Sequence, residues 1–398
     1  MTDNNAIPDS YDGREQALIK HELLRSYLQQ LFRIIGMSAG RNRRIDLCYV
    51  DCFAGPWGDD SEDMEGTSIA ISLRTLDACH QTLASHGIDA NIRALYIEKD
   101  PPAFARLDSY LYGNTPKGIC SECWKGDFVD LRDKLLQWAT RDAFVFFFID
   151  PKGWKEVGIK ILRRLLQRPR SEFLINFMYD FVNRTMSMGD WQQEMSELLG
   201  ETINLDGMCP KEREQLILRT YRETLKRCLP VPKPEYRLRS AYVRVLDPTK
   251  ERPKYHLVYL TSHPQGIVEF MTISEQVDLV QKKVRALKKG VERERRTGTP
   301  DMFGAETFVD QSAGHVSPED VDRFWLGYLK SGIRRIGRNE FADILEETDW
   351  FPRDLQASLV RLIKRGLVSN LDAVGRRPKK PLHFEKGGER LQLVERAT

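Results

Sequence analysis

The apolar run FVFFFI at residues 144–149 is the sequence feature that most restricts the fold of this chain. A membrane-spanning helix needs about 20 apolar residues, whereas this run has six and is followed directly by Asp150. A strand that is apolar on both faces is typical of a parallel sheet covered by helices on both sides. The run therefore predicts a central buried strand with a carboxylate at its carboxyl end.

Similar strands alternate with helical patterns along the chain. Apolar segments at residues 47–51, 92–97, 120–125 and 172–178 predict further strands, and helical spacing recurs at 14–36, 68–83, 131–140 and 157–166. Such alternation predicts an α/β fold with a parallel sheet. Residues 183–235 read as a helical insertion, and strands at 236–246 and 255–261 predict an antiparallel pair that closes the sheet.

The chain divides into three parts. The α/β domain is predicted over residues 14–275, a basic helix and linker over 276–317, and a small module over 318–398. The module reads as helices at 318–331, 339–347 and 352–365, a strand near 366–368, a basic loop at 376–380 and a strand at 382–384. This order predicts a winged-helix-like module.

The predicted strand ends carry the candidate binding residues. Ligands of an open α/β sheet bind at the carboxyl ends of its strands, and here these ends supply Asp51, Glu98, Asp127 and Asp150. Gly55 would let the backbone approach a ligand closely. Glu98 is placed to accept hydrogen bonds from two ribose hydroxyls, and Asp127 from an adenine amine. The set predicts an adenosine-bearing ligand.

The first strand end favours S-adenosylmethionine over a dinucleotide. About ten residues separate Gly55 from the next helix, whereas a bound pyrophosphate needs the helix N-terminus close to a glycine-rich turn. Thr67 is a plausible N-cap for that helix. We therefore expect a Rossmann-like sheet of the methyltransferase type, with S-adenosylmethionine as cofactor.

Residues 14–275 resemble the three-Cys-motif partner protein family, which has a methyltransferase-like domain. The segments that carry the resemblance are KH (20–21), YVDCFAG (49–55), GTS (66–68), YIEK (96–99), FIDP (148–151) and LINF (174–177). The resemblance implies that Asp51, Phe53 and Gly55 bind the methyl donor and that a partner protein is encoded nearby. Lys20 would bind the donor's carboxylate or pair with a carboxylate of the site.

The chain also resembles, more distantly, the adenine-N6 methyltransferases of large-subunit ribosomal RNA, which share the lysine-histidine pair and an Asp-Pro-Pro-aromatic motif. That resemblance implies that Asp150 and the Pro151 carbonyl hold a target amine while an aromatic ring stacks on the flipped base. This chain has Lys152 and Gly153 at the last two motif positions. Trp154 is the candidate for the missing ring.

The distribution of basic residues along the chain suggests a nucleic acid as the binding partner. The net charge is only +3, but residues 281–296 contain eight basic and two acidic residues, and residues 361–398 contain ten basic and four acidic. Such blocks are suited to phosphates. We expect methyl transfer to a base amine of RNA or DNA. The alternative is a non-catalytic nucleic-acid-binding or sensing protein with a degenerate methyltransferase core and a winged helix.

Other classes of protein are disfavoured by what the sequence contains. The polar N-terminal segment and the absence of a long apolar run predict a cytoplasmic protein without a membrane span. The seven scattered cysteines argue against a disulfide framework. Cys120 and Cys123 have the spacing of half a zinc site, but no second pair completes it, so no metal is expected.

Overall fold

A computed structural model describes residues 8, 11, 13–40, 43–55, 64–186, 188, 191–230, 237–298, 316–375 and 377–394. Its main body is a seven-stranded sheet flanked by helices. The strands are β1 (Arg44–Asp51), β2 (Asp89–Glu98), β3 (Ile119–Lys125), β4 (Phe144–Ile149), β5 (Ser171–Phe177), β6 (Arg239–Leu246) and β7 (Pro253–Thr261).

Nine helices described in this body connect or cover these strands. They are α1 (Glu15–Ser38), α2 (Ser68–Ser85), α3 (Pro101–Asn114), α4 (Phe128–Trp138), α5 (Ile159–Leu166), α6 (Tyr179–Thr185), α7 (Gln192–Leu199), α8 (Pro210–Lys226) and α9 (Pro264–Thr297). The predicted N-cap of α2 is confirmed, because the Thr67 hydroxyl accepts a hydrogen bond from the Ala70 amide at 3.3 Å. None of the helices in the described ranges contains an apolar stretch that would span a bilayer.

The strand order is β3-β2-β1-β4-β5-β7-β6. Strands β1 to β5 are parallel, and β7 runs antiparallel to both β5 and β6. The predicted antiparallel pair therefore joins the sheet through β7. The order reverses between β1 and β4, so the loops after these two strands diverge and leave a crevice at the carboxyl edge.

Strand β4 lies between β1 and β5 and is buried on both faces. Its side chains alternate between the two halves of the core, with Phe144, Phe146 and Phe148 on one side and Val145, Phe147 and Ile149 on the other. Helices α1, α2 and α9 cover the first side, and α4, α5 and α8 cover the second. Burial of one such side chain contributes about 1.5–3 kcal/mol, which explains why this apolar strand occupies the centre.

The C-terminal part contains α10 (Pro318–Tyr328), α11 (Arg338–Thr348), α12 (Pro352–Lys364) and a three-stranded antiparallel sheet of β8 (Arg334–Ile336), β9 (Val368–Asn370) and β10 (Glu389–Leu393), in the order β8-β10-β9. The prediction of a strand at residues 382–384 is wrong. Leu382 is buried and its carbonyl accepts from Gln356 of α12 at 2.9 Å, and Phe384 stacks on Phe341 of α11 at 4.2 Å, so neither residue belongs to a strand of the sheet.

Helix α9 begins at Pro264, earlier than the basic pattern suggested, because His263 caps its first turn by accepting from the Gln265 amide at 3.2 Å. It is continuous across position 275, where the sequence suggested a domain boundary. Residues 299–315, which contain most of the predicted linker, lie outside the described residues, as does Arg376 of the basic loop. The winged-helix interpretation and the domain limits remain predictions.

An acidic face of α11 attaches the C-terminal part to the α/β body. Asp343 and Glu346 lie on this helix and Asp349 is its C-cap residue, so the three carboxylates recur at every third position. They pair with Arg239 at 2.8 Å, Lys226 at 2.7 Å and Arg222 at 3.0 Å, respectively. The Arg239 side chain is fully buried and also donates to Asn339 at 3.2 Å. A buried guanidinium without its carboxylate is costly, so this pair fixes the contact.

Replacing Asp343 should therefore destabilise the protein strongly. We expect Asp343→Ala to lower the free energy of unfolding by about 3 kcal/mol, because it leaves Arg239 buried and unpaired. The matched control is Asp320→Ala, which removes an exposed i,i+3 pair with Arg323 and should cost less than about 1 kcal/mol. Urea unfolding followed by circular dichroism measures both. Equal losses for the two variants would contradict this account of the contact.

Candidate active site

A cavity of about 370 Å³ opens at the carboxyl edge of the sheet, beside the crevice between β1 and β4. Its walls come from the first turns of α1, the end of β1, the first turn of α2, the residues after β4 and β5, and the start of β7. Five predicted site residues line it: Lys20, Phe53, Gly55, Asp150 and Pro151. The topology thus brings together residues that are as far apart in the sequence as positions 20 and 151.

Asp150 is the centre of this cavity's polar network. One carboxylate oxygen forms an ion pair with the Lys20 ammonium, and the other accepts a hydrogen bond from Asn176 Nδ2 at 2.7 Å. The side chains of Asp150 and Lys20 are only 14% and 15% exposed, so both groups are held away from bulk water. These contacts orient the carboxylate, and Lys20 pairs with Asp150, one of the predicted site carboxylates.

Asp51, at the end of β1, is fully buried and lies behind the cavity wall. Its carboxylate accepts from the Ser68 hydroxyl at 2.6 Å and from the Phe53 amide at 3.2 Å. Burial, with a smaller contribution from the nearby charge of Asp150, raises the pKa of Asp51 to about 7. Asp51 therefore holds the loop after β1 against α2 and changes its charge near neutral pH.

Glu98 and Asp127 form a second polar group at the ends of β2 and β3. Glu98 is 2% exposed and accepts from the Asp100 amide at 2.6 Å, and burial raises its pKa. Asp127 caps α4 by accepting from the Val129 amide at 2.9 Å, and Lys99 lies 3.5 Å from its other oxygen. Neither side chain lines the 370 Å³ cavity.

Phe53 connects the two groups. Its ring lines the cavity on one side and packs against Phe128, the residue after Asp127, with 5.2 Å between the ring centroids. The amide of Ala54 donates to the Ile97 carbonyl at 2.8 Å, one residue before Glu98. The loop after β1 is therefore bonded to the end of β2, which places the second polar group beside the first.

Trp154, predicted to stack on a target base, lies outside this cavity. Its side chain is 6% exposed and packs between Phe181, at 6.1 Å, and Trp191, at 6.0 Å. A short 3-10 turn at Lys155–Val157 follows it and directs the chain towards α5. The ring belongs to the core on the α5 side, so the structure does not place it where a base would stack.

Tyr255, near Asp150, was not among the predicted site residues, whereas Asn176 was predicted as a substrate contact that follows the fifth strand. Asn176 is 4% exposed and interrupts the otherwise apolar end of β5, a signal that the sequence did contain. Tyr255, at the start of β7, lines the cavity and donates to the Gln16 carbonyl at 2.6 Å. His21 also lines it and bonds to the Tyr11 hydroxyl at 3.0 Å; burial lowers its pKa well below the usual value, so the ring is neutral.

Basic side chains of the two predicted phosphate-binding segments form ion pairs within the protein, more of them in 281–296 than in the basic loop. In 281–296, Lys282, Arg285, Lys288 and Lys289 all form ion pairs with Asp278, Glu251 or Glu15. In the basic loop, Arg377 pairs with Glu389 at 2.6 Å, whereas Lys379 and Lys380 are exposed. The contacts of both segments with a nucleic acid remain a prediction.

No family model matches this chain, and no curated protein matches it. Among solved structures, a Legionella pneumophila protein of family DUF519 is 12% identical, over 68% of this chain and 92% of that chain, with a TM-score of 0.36. Human methyltransferase-like protein 13 in complex with SAH is 12% identical, over 70% and 94%, with a TM-score of 0.27. A dimethyladenosine transferase from Plasmodium falciparum is 11% identical, over 85% and 96%, with a TM-score of 0.27.

These likenesses are too distant to carry an argument about function. The fold is defined by the chain's own sheet: five parallel strands, a reversal of order between β1 and β4, and one antiparallel strand, β7, inserted beside β5. This is a Rossmann-like sheet of the methyltransferase type, as the sequence predicted. The three-Cys-motif partner resemblance stays a prediction.

The raised pKa of Asp51 predicts a pH dependence of stability. The folded protein retains this proton up to about pH 7, whereas the unfolded chain releases it near pH 4. The stabilisation is thus complete below pH 4 and is lost as the pH rises through 7. We expect Asp51→Asn, which cannot ionise, to gain about 2 kcal/mol relative to wild type between pH 5 and pH 8.

Urea unfolding of both proteins at several pH values measures this difference. Asp133→Asn is the control, because Asp133 is 56% exposed and lies on the protein surface. Parallel stability curves for wild type and Asp51→Asn would show that Asp51 does not titrate in this range.

Proposed function

We propose that this protein is an S-adenosylmethionine-dependent methyltransferase that acts on a base amine of RNA or DNA. The observation that carries the proposal is the Asp150 network: a carboxylate at the end of the central strand, fixed by Lys20 and Asn176, and open to a cavity at the reversal of strand order. A site at this position is where α/β sheets bind their ligands.

The residues at the ends of β1, β2 and β3 fit the methyl donor. A carboxylate has about four lone-pair sites, so Glu98, which accepts from the Asp100 amide, retains capacity for ribose hydroxyls. Asp127 offers an acceptor for an adenine amine, and Phe53 supplies an apolar surface between the two groups. Lys20 is committed to Asp150, so its expected contact with the donor's carboxylate is not part of the proposal.

The protein's own contribution to the reaction would be positioning. The bound donor supplies an electrophilic methyl group. Asp150 and the Pro151 carbonyl accept the two hydrogens of the target amine and thereby orient its nitrogen lone pair. Lys20 and Asn176 hold the Asp150 carboxylate in one orientation, which reduces the entropy lost on reaching the reactive geometry.

A non-catalytic binding or sensing protein is the second candidate. It is favoured by Lys152, which stands where the adenine methyltransferases have proline, and by the buried ring of Trp154. Calorimetric titration with S-adenosylmethionine and with its demethylated product, combined with a transfer assay, separates the two candidates. The partner protein implied by the three-Cys-motif resemblance would be sought by co-purification.

Glu98→Ala should weaken donor binding at least tenfold, because hydrogen bonds to a charged group are worth about 1.5–3 kcal/mol. Isothermal titration calorimetry with S-adenosylmethionine measures the dissociation constant. Glu122→Ala is the control, since Glu122 is 44% exposed on the neighbouring strand β3. An unchanged constant in a folded Glu98→Ala protein would exclude Glu98 from the donor site.

Asp150→Asn should retain donor affinity within about threefold but lower the transfer rate about a hundredfold, a barrier increase of about 2.7 kcal/mol. The assay measures tritium transfer from labelled donor to total RNA and DNA from cells that lack the protein.

A double variant, Lys20→Met with Asp150→Asn, controls for the ammonium that the single change leaves unpaired. If the single variant loses activity only through a misplaced Lys20, the double variant should recover it. Transfer by Asp150→Asn at the wild-type rate would remove Asp150 from the mechanism.

A further inference from the structure

A second cavity, of about 670 Å³, borders the candidate active site. Its walls are α6, the first turns of α8, the β6–β7 hairpin, α9 and the segment between α11 and α12. Residues adjacent in the chain line the two cavities: Met178 lines the first and Tyr179 the second, and Lys254 lines the first and Pro253 the second. A long ligand could therefore occupy both.

Four cations line this second cavity: Arg184, Lys211, Arg244 and Arg252. The three arginine side chains are 64%, 47% and 51% exposed, in that order, so their guanidinium groups remain accessible to solvent. Arg184 and Arg252 share one carboxylate, Asp180, at 3.5 Å and 3.4 Å. Lys211 forms no ion pair with any part of the chain that the structure describes.

The five carboxylates of the wall are all neutralised by the protein itself. Asp180, Glu214, Glu251, Asp278 and Asp349 each lie within ion-pair distance of at least one arginine or lysine. Four of these partners, Arg222, Lys282, Arg285 and Lys289, are not among the residues that line the cavity. The lining itself has four cations and five carboxylates. With these four ion-paired partners the count becomes eight cations to five carboxylates, so the positive excess depends on them.

His256 does not add to this charge. It is fully buried with Nε2 at 3.2 Å from Glu214, and its ring faces Tyr179 and Tyr242; Arg244 and Arg222 also lie near it. Burial lowers its pKa, so the ring is neutral. The positive excess therefore comes from arginine and lysine and persists across the physiological pH range.

We propose that this cavity, the phosphate cleft, binds the sugar-phosphate backbone of the nucleic-acid strand whose base enters the Asp150 cavity. The inference rests on the proposed function and specifies where its substrate binds. Arginine has five N–H donors, and two arginines that share one carboxylate leave donors for the paired oxygens of a phosphate. A base that is flipped into a pocket requires its backbone to lie just outside that pocket.

The phosphate cleft accounts for the otherwise unexplained placement of the basic segment 281–296. Lys282, Arg285 and Lys289 face Asp278 and Glu251, two carboxylates of the cleft wall. By neutralising these carboxylates from the α9 side, they reduce the negative charge that would repel a polyanion from the cleft. The segment would thus support the cleft without contacting phosphates itself.

The test is a charge-neutralising triple variant, Arg184→Gln, Lys211→Gln and Arg252→Gln. Its binding to fluorescent 20-nucleotide single strands of RNA and DNA of mixed sequence is measured by anisotropy over a range of salt concentrations, without methyl donor. Each phosphate contact contributes about 0.7 to the slope of log affinity against log salt for single strands. We expect the slope to fall by about 2 and the affinity to fall at least tenfold.

The matched control is Arg44→Gln, Arg74→Gln and Arg164→Gln. These arginines are 66%, 58% and 58% exposed, form surface ion pairs elsewhere, and change the net charge by the same amount. The control should bind like wild type. Equal losses for both triple variants would overturn the proposal, since net charge alone would then explain binding.

Titration with S-adenosylmethionine distinguishes a wrong assignment of the phosphate cleft from a wrong proposed function. The cleft variant should bind S-adenosylmethionine like wild type. If wild type binds nucleic acid through the cleft but no donor, the phosphate cleft stands and methyl transfer fails. If wild type binds neither RNA nor DNA but methylates protein in a cell extract, the phosphate cleft is overturned in favour of a peptide-binding surface.

Discussion

The burial of β4 is the constraint on which the rest of the structure depends. Because its six residues are apolar on both faces, the strand is stable only in the middle of a sheet that helices cover on both sides. This position forces the next residue, Asp150, to emerge at the carboxyl edge. There the first helix and β5 supply its partners, Lys20 and Asn176. The placement of the polar network thus follows from hydrophobic burial and not from any local signal in the loop.

Two carboxylates at neighbouring strand ends are held in different environments. Asp51 is fully buried and bonded to neutral donors, so burial raises its pKa to about 7. Asp150, one strand away, faces an ammonium group and a cavity. A buried carboxylate that becomes protonated as the pH falls would relieve repulsion with its charged neighbour. The raised pKa of Asp51 thus makes the wall of the site sensitive to pH.

Much of the fold could be predicted because burial leaves a strong pattern in the sequence. The apolar runs located strands β1 to β5 to within three residues at either end. The strands that the sequence did not predict have physical reasons for lacking a signal. Strand β8 is three residues long and contains two arginines, and β10 is largely polar, so neither gives an apolar signal. At the candidate site, the position of Asp150 after an apolar strand was enough to predict it. Its hydrogen bond with Asn176 could not be predicted, because it depends on how β4 and β5 pair. The direction of the Trp154 ring depends on the 3-10 turn that follows it.

The contact of α11 with the α/β body affects what separately expressed fragments of this chain can bind. Asp349, which ends the acidic face of α11, and Phe351 form one wall of the phosphate cleft. This part is covalently linked to α9, so its contact with the body forms within one chain, at a high effective concentration. A C-terminal fragment expressed alone would lack most of the cleft, and a truncated body would lack one wall. Mixing the C-terminal fragment with the truncated body would not restore the covalent link between them. The nucleic-acid affinity measured for such a mixture would therefore be lower than that of the intact chain.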